Sequence, residues 1–504
     1  MDPNRVRSAC KELLRSVCPQ PLRSLFRRLK RARVHAKRLR RRLRWRNLPL
    51  NDENCPVRKV FIFAVDCLRR DASSLYGNPL PTTPFLDQLA RDSKHGCALQ
   101  NFYAASGWTY PSVVSMLTGH YPHSHGGQSP AEPGAFSEGE MPAGWNREIL
   151  TLPDVFNRLG WETHFLCSNP WAGLASEGLF RKHFYRPEWQ LEDFLEQMEK
   201  AVCARPSARQ FFYYQPMPLH TPVALPEKYR KCFQDCPPTD PQAKWKVSRD
   251  DIDRNNPAFE DYRRARILLY HRTLRWFDER LQAFVETLQA HSALEDALII
   301  ITADHGEEFW DHLEQEKSHF LLTPEYPEEQ TLSLLGEEGN SRPGPGHGHN
   351  LFQELIYLPC VIRHPDWDPQ LRRSLQENLL SQVDLMNLVL RLCNISGELP
   401  DNDGLDFYDP ETTHDRILAE DCCYGHEKRT VIQPPHKLLV SKGDDVCWLY
   451  DLDEDPNEQS PSKEPDETMR RLIEELPEDD IKPRQFLRGN DKVLERLKSL
   501  GYHE

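Results

Sequence analysis

Two apolar runs end on residue types that bind metals. Phe61-Ile62-Phe63-Ala64-Val65 leads into Asp66, and Ala297-Leu298-Ile299-Ile300-Ile301 leads through Thr302 and Ala303 into Asp304 and His305. In an open parallel sheet the carboxyl ends of the strands face the ligand crevice. One Asp at such a place is ordinarily a turn residue. Asp66, Asp304 and His305 together, at two strand ends, form a candidate ligand set for one divalent cation. Oxygen-rich ligation with a single imidazole suits Mg2+, Mn2+ or Ca2+, and less obviously Zn2+. A cation there lowers the pKa of a bound hydroxyl and neutralises an anionic ester oxygen.

A hydroxyl is on hand in SGWTYPSVVSMLTGHY, residues 106–121. Thr109 and Ser112 flank Pro111 just before an apolar, helix-like run. One reading is capping, since Ser and Thr satisfy orphan N–H groups at a helix start and Pro suits the first turn. The other makes Thr109 a nucleophile at the positive end of a helix, where an anionic ester binds. The local pattern leaves both open. Histidines add further chemistry. His347 and His349 lie between glycines in GHGHNLFQE, residues 346–354, and His220 lies in PLHTP beyond the strand-like Phe211–Gln215. Histidine ligates metals, donates to anions or protonates leaving groups. His220 reads equally well as a loop residue beside a proline turn.

These residues need a scaffold, and the hydrophobic pattern supplies one. Strands are predicted at Val60–Val65, Thr163–Leu166, Phe211–Gln215 and Ala297–Thr302, and helices at Thr83–Arg91, Pro111–Thr118, Leu152–Leu159 and Tyr262–Ala290. Such alternation argues an α/β fold, with a mostly parallel central sheet flanked by helices. Residues 313–346, rich in Glu, Pro and Gly, read as an inserted surface loop. After a connector near 397–416, strand-like Arg429–Ile432, Lys437–Ser441 and Val446–Tyr450 and a helical Asp466–Leu476 predict a smaller C-terminal α+β subdomain. The expected organisation is a basic arm over 1–50, a catalytic domain over 57–396 and a small-sheet subdomain with a tail over 397–504.

Charge is unevenly spread. Residues 1–50 hold 17 Lys and Arg against Asp2 and Glu12, a balance of +15, so a net charge of -13 leaves -28 for the rest. Leu22, Leu25, Phe26, Leu29 and Ala32 recur at helical spacing among basic residues. That arm is either a solvated tail or a contact with an anionic membrane surface. Sparse aromatic interleaving argues against a specific nucleic-acid partner. No apolar run is long enough to span a bilayer, and Arg and Lys interrupt every candidate signal-peptide core. The 14 cysteines lack metal-binding CxxC spacing, so free thiols and a cytoplasmic location are expected.

Seven segments then fall in a recognisable order: AVDCLRRD with SLYG, TTPFLDQLA, WTYPSVVSMLTGHYPHSHG, LHTPVALPEKY, TADHGEEFWDH, GHGHNLFQELIYLP and CWLYDLDEDPNE. Over roughly residues 57–460 the chain resembles the sulfatase family of the alkaline phosphatase superfamily. The resemblance implies one divalent metal (Mn, Mg or Ca), with Asp66, Asp304, His305 and Thr109 as its ligands. It implies Thr109 as nucleophile, His220 and His347 at the anionic group or leaving oxygen, and Asn169 and His349 in contact with substrate.

Four departures surround the family's formylglycine chemistry. The C/S-x-P-S-R signature reads Thr109-Tyr110-Pro111-Ser112-Val113, the second Asp of the first motif is Cys67, and the Lys and His of the GKWH segment fall on Ser168 and Pro170. Threonine carries a methyl where formylglycine needs an aldehyde, so it cannot be converted. Relatives resembling phosphodiesterases and phosphoglycerol transferases carry threonine there, and its hydroxyl attacks phosphorus directly. The expectation is therefore a metal-dependent hydrolase or transferase acting on a phosphate ester, a diester first. Hydrolysis of sulfate or phosphonate esters without formylglycine is one alternative, and a catalytically silent binding protein is another.

Overall fold

A computed structural model describes residue 36 and residues 39–129, 141–233, 253–320, 346–409 and 412–477. The first long strand, β1 (Lys59–Val65), is buried along all seven residues. A strand covered on both faces is apolar along most of its length, which is why VFIFAV shows no alternation, and the buried Lys59 at its start donates to the Pro206 carbonyl at 2.8 Å. In chain order there follow α1 (Pro84–Arg91), β2 (Gly96–Tyr103), α2 (Thr109–Thr118), α3 (Leu152–Arg158), β3 (Glu162–Cys167), α4 (Pro170–Ala175) and β4 (Lys182–Tyr185). Then come β5 (Gln210–Gln215), the 34-residue α5 (Pro257–Ala290), β6 (Ala297–Ala303), α6 (Leu313–His319), β7 (Tyr357–Arg363) and β8 (Leu379–Ser381). The eight strands form one sheet in the order β4-β3-β5-β1-β6-β7-β2-β8. Only β7 runs antiparallel to its neighbours. This is the α/β architecture expected from the sequence.

Helices cover the sheet through aromatic contacts. Phe284 of α5 meets Phe61 and Phe63 edge-on, with ring centroids 5.4 and 5.7 Å apart. From the same helix, Asp278 accepts the Phe85 and Leu86 N–H groups at 2.8 and 3.0 Å, closing the start of α1. These N–H groups have no partner within their own helix, so a buried acceptor is needed.

Three of the strands that the sequence pattern does not predict have local reasons. Polar Gln100 and Asn101 interrupt β2, Pro359 sits inside β7, and β8 has only three residues. Helix α2 starts at Thr109, two residues before the predicted Pro111. The expected loop at 313–346 needs correction at its start. Leu313–His319 is helical, with Leu313 and Glu316 buried, while 321–345 lie outside the described residues. The basic arm is corrected at its other end. Arg41 donates to Asp154 at 3.0 Å and to the Ile149 carbonyl at 2.8 Å, so the chain is already docked on the body before residue 50. The Leu22–Ala32 pattern lies outside the described residues. No helix among the described residues is long and apolar enough to cross a membrane.

The C-terminal part forms a four-stranded antiparallel sheet of β9 (Ile417–Glu420), β10 (Arg429–Gln433), β11 (His436–Ser441) and β12 (Val446–Asp451), followed by α7 (Glu467–Glu474). Buried polar bonds fasten it to the main sheet. Lys437 Nζ donates to the Leu351 carbonyl at 2.7 Å, and Glu420 N–H donates to the Ala105 carbonyl at 3.0 Å. His312 Nδ1 lies 2.9 Å from Glu354 and its Nε2 lies 3.0 Å from the Asn457 carbonyl. A carbonyl can only accept, and Glu354 rewards a second proton. Although burial opposes it, Glu354 pushes the imidazolium up to about 10.

This raised value sets a pH window. His312 contributes stability that is complete below its unfolded pKa of about 6.5 and is lost as pH rises through about 10. His312→Gln is expected to lose about 1.5–3 kcal/mol near pH 6, the range for hydrogen bonds to a charged group. Urea midpoints at pH 6 to 10 should show the gap to wild type closing as pH rises; a constant gap would assign His312 no charged role.

Candidate active site

Four neighbouring parallel strands, β3, β5, β1 and β6, end side by side. Asp66 follows β1 directly, Gln215 closes β5, Asp304 and His305 follow β6, and Asn169 comes two residues after β3. Strand spacing of about 4.7–4.9 Å therefore brings the expected metal ligands together. His305 Nε2 is 3.3 Å from Asp304 Oδ2 and 3.8 Å from Asp66 Oδ1, all three side chains being buried. Gln215, which the sequence reading passed over, donates to Asp304 Oδ2 at 2.6 Å. Its place as the last residue of a predicted strand was the available signal.

The electrostatics fit a divalent cation. Burial, reinforced by Asp66, holds the Asp304 carboxyl well above the usual range. Neither carboxylate has a Lys or Arg partner among the described residues. His305 Nδ1 donates to the Gly306 carbonyl at 2.8 Å, which leaves the Nε2 lone pair facing the carboxylates. Burial, with His347 adding to it, pushes its imidazolium down to about 3. A neutral imidazole held in one tautomer by a backbone carbonyl is ready-made for ligation. The turn behind it depends on glycine, because a Cβ on Gly306 would lie 1.8 Å from the Glu354 carbonyl oxygen.

Thr109 is the first residue of α2, and the residue before it, Trp108, makes no side-chain cap. The hydroxyl does not turn back onto the helix. Its Oγ1 is 3.1 Å from His305 Nε2 and accepts from Asn169 Nδ2 at 3.3 Å. Ser112 is also no cap, since its hydroxyl donates to the Ser106 carbonyl at 3.0 Å. Asn169 has two jobs. Its Nδ2 also donates to Asp66 Oδ2 at 2.6 Å, while its Oδ1 accepts from Trp171 and Ala172 N–H at the start of α4. It is fully buried and bonded to both Thr109 and Asp66, which places it beside the candidate nucleophile.

His220 and His347 stand on the same rim. Their ring centroids are 5.3 Å apart, and His347 lies 4.3 Å from the His305 ring. His347 Nδ1 is 2.8 Å from Glu307 Oε2 and 3.5 Å from Cys67 Sγ. Glu307 was not singled out in the sequence, where it was one more acid in an acidic run. The His347 loop is tied to the Thr109 loop by the Gly348 N–H, which donates to the Gly107 carbonyl at 2.9 Å from a left-handed φ of 80°.

The family model for sulfatases matches residues 58–395, about two thirds of the chain and every residue of this site. The chain belongs to the sulfatase family. Solved structures similar in fold include BT1596, a 2-O GAG sulfatase, at TM-score 0.58 and 16% identity over 87% of this chain and 96% of that one. The phosphonate monoester hydrolase of Agrobacterium radiobacter aligns at TM-score 0.55 and 16% identity, over 88% of this chain and 96% of that one. A third, the phosphonate monoester hydrolase SpPMH from Silicibacter pomeroyi, aligns at TM-score 0.53 and 15% identity, over 78% and 88%.

In this sulfatase-family chain one expected site residue moves elsewhere. His349 is buried between Glu308 and Glu316, its Nε2 at 3.0 and 2.9 Å from their oxygens. Burial opposes its charge, but Glu316 and Glu308 push the imidazolium up to about 10. It is a buried cation bracing the 308–316 segment and not a substrate contact. Residues two apart share a side of an extended chain, but Gly348 between them takes a left-handed φ of 80°, and this turn sends His347 and His349 to different partners.

Asn169 carries the prediction of this geometry. Asn169→Ala should cost about 1 kcal/mol through the lost cap of α4. It should also weaken divalent-metal binding by about 10–100-fold, the usual effect of removing a group that orients metal ligands. Thermal melts and chelator-competition titrations would measure the two effects; unchanged metal affinity would reduce Asn169 to a helix cap.

Proposed function

We propose that this sulfatase-family protein is a metal-dependent hydrolase or transferase of phosphate esters, diesters first, with Thr109 as nucleophile. The observation that carries the reading is the Thr109 hydroxyl, turned away from its helix and bonded to His305 and Asn169 among the candidate metal ligands. Asp66, Asp304 and His305, with Thr109, would hold one divalent cation, for which Mn2+, Mg2+ and Ca2+ are the candidates. When bound, such an ion neutralises ester oxygens and favours the ionised hydroxyl.

The chain's own groups do the rest. Asn169 donates to Thr109 Oγ1 and fixes its direction. The N–H groups opening α2 have no partners within their helix and favour an anion in front of Thr109. Thr109 Oγ1 loses its proton to solvent and forms a bond to phosphorus as the P–O bond to the leaving alcohol breaks, and the departing oxygen takes up a proton in return. His220 and His347, on the adjoining rim, are placed to stabilise that leaving oxygen. Water or an acceptor alcohol then attacks phosphorus, breaks the phosphothreonine bond and restores the hydroxyl.

One feature favours a phosphate ester over a sulfate, and another favours a diester over a phosphomonoester. Threonine cannot become formylglycine, and the position of the supporting Arg is the fully buried Val113. No Lys or Arg is bonded to Thr109, Asp66, Asp304 or His305 among the described residues, whereas a dianionic monoester calls for such clamps. A diester carries a single charge. Chromogenic phosphodiester, phosphomonoester, phosphonate and sulfate esters, each with Mn2+, Mg2+ or Ca2+, would test this. Diester turnover should require metal and fall at least 1,000-fold in Thr109→Ala, as loss of a nucleophile implies. Preferred sulfate turnover, or a fully active variant, would overturn it.

A further inference from the structure

The root of the basic arm is a short helix with two unlike faces. Residues 39–44 are helical, and Arg41 turns inward. Its guanidinium bonds both Asp154 oxygens and the Ile149 carbonyl, and lies over the Trp145 ring, 5.7 Å from the centroid. Trp45 and Leu48, which follow it, pack against the core. Leu39 and Leu43 stand two residues to either side of Arg41, about 200° around a helix of 3.6 residues per turn, and so point away from the body. Their exposures are 48% and 54%, and the only other large hydrophobic side chains so exposed among the described residues are Tyr408 and Ile473. One face of one helix thus concentrates apolar surface that the fold leaves in water.

Positive charge borders these leucines. Arg40, Arg42, Arg44 and Arg46 are exposed. Arg40 and Arg44 share one exposed acid, Glu148, while Arg42 and Arg46 bond no acidic side chain among the described residues. Burial, and after it the nearby Arg42, lowers the Arg181 pKa, so like charges crowd on this side of the molecule. The sequence carries the same pattern upstream, where Leu29, Ala32, Ala36, Leu39 and Leu43 follow one another at intervals of three and four. That spacing is the signature of an apolar stripe on a helix. Charge decides what such a face takes. A second copy of the chain would set arginines against arginines. A nucleic acid would leave Leu39 and Leu43 in water, and the exposed residues of this face include no aromatic ring for base stacking. An anionic bilayer answers both parts, since its headgroups pair with guanidinium groups and its acyl boundary takes the leucines.

We infer that the outer face of this helix, Leu39 and Leu43 with Arg40, Arg42 and Arg46, is a docking surface for an anionic lipid bilayer. The contact is peripheral: the leucines enter the boundary between headgroups and acyl chains while Arg41 keeps the helix on the body. The same anchor leads toward the candidate site. Arg41 also donates to the Arg147 carbonyl. The Arg147 guanidinium in turn donates to the Leu174 and Ala175 carbonyls at 3.0 and 3.2 Å, at the end of α4, the helix that Asn169 caps. A bilayer held by this face is therefore joined to the body through bonded side chains. The inference needs neither a metal nor attack by Thr109, and so stands apart from the proposed function.

Co-sedimentation of the full chain with vesicles tests it, using phosphatidylcholine alone and phosphatidylcholine with about one third phosphatidylglycerol. Binding is expected on the anionic vesicles only. It should weaken about 10-fold or more between about 0.1 M and about 1 M salt, as the screening length falls from about 10 to about 3 Å. Leu39→Ser combined with Leu43→Ser should weaken it about 10-fold or more, because two inserted apolar side chains are lost. Arg42→Ser should weaken it about 5-fold, the share of one basic residue near a charged surface. These side chains are exposed, so circular dichroism and melting of each variant should match wild type. Thr109→Ala should bind vesicles as wild type does. Equal binding to neutral vesicles, or unchanged binding in the leucine variant, would overturn the inference. Tighter binding to duplex DNA than to the anionic vesicles would also overturn it and give the face to a nucleic acid.

Discussion

Two buried carboxylates that repel one another are the constraint around which this structure is arranged. Asp66 and Asp304 follow adjacent parallel strands, so the sheet itself forces them together. No Lys or Arg side chain among the described residues answers them. Burying like charges is costly unless something compensates. Gln215 and Asn169 each donate one hydrogen bond, and His305 offers only a lone pair. What the arrangement lacks is positive charge, and a divalent cation would supply it. The site is therefore better understood as one half of a complex than as a finished ion-pair network.

Holding such a site open requires a rigid surround, and the C-terminal sheet provides much of it. Trp108, next to Thr109, donates from its indole to Asp421 at 3.0 Å, and Ser106 donates to the Asp421 carbonyl at 3.1 Å. Gly348, next to His347, accepts the Tyr424 N–H at 2.9 Å. Thus the Thr109 loop and the His347 loop are both fastened to the turn after β9. His312 and His349, two buried imidazolium groups, tie the intervening segment to Glu354, Glu308 and Glu316. Truncating a member of such a network leaves charges uncompensated. Its worth lies in fixing the loops to better than the tolerance that catalysis allows.

The departures from formylglycine chemistry make physical sense as a set. Losing the aldehyde removes the need for the arginine that supports it, and an apolar Val113 packs in its place. Replacing the second acid of the first motif by Cys67 softens one side of the ligand cluster and lowers its negative charge. Those changes are the ones the proposed direct attack by the Thr109 hydroxyl calls for.

Much of this was legible without the fold. The runs ending at Asp66 and at Asp304-His305 announce buried parallel strands, because only strands covered on both faces can be apolar throughout, and the crevice lies at their carboxyl ends. The seven ordered motifs identified the family, and the family model over residues 58–395 agrees. What the sequence left undecided were directions. Whether Thr109 caps its helix or faces the ligands depends on one side-chain rotation, and the helix-start pattern suits both. His347 and His349 look equivalent in GHGH, yet one joins the rim and the other is locked between Glu308 and Glu316. Asn169, Gln215, Glu307 and Cys67 acquire roles only from neighbours far away in the chain. Local pattern determines which elements form and which residues stand at their ends. The tertiary structure alone decides which way each side chain points and what charge it meets, because those depend on contacts between segments that the chain separates by dozens to hundreds of residues.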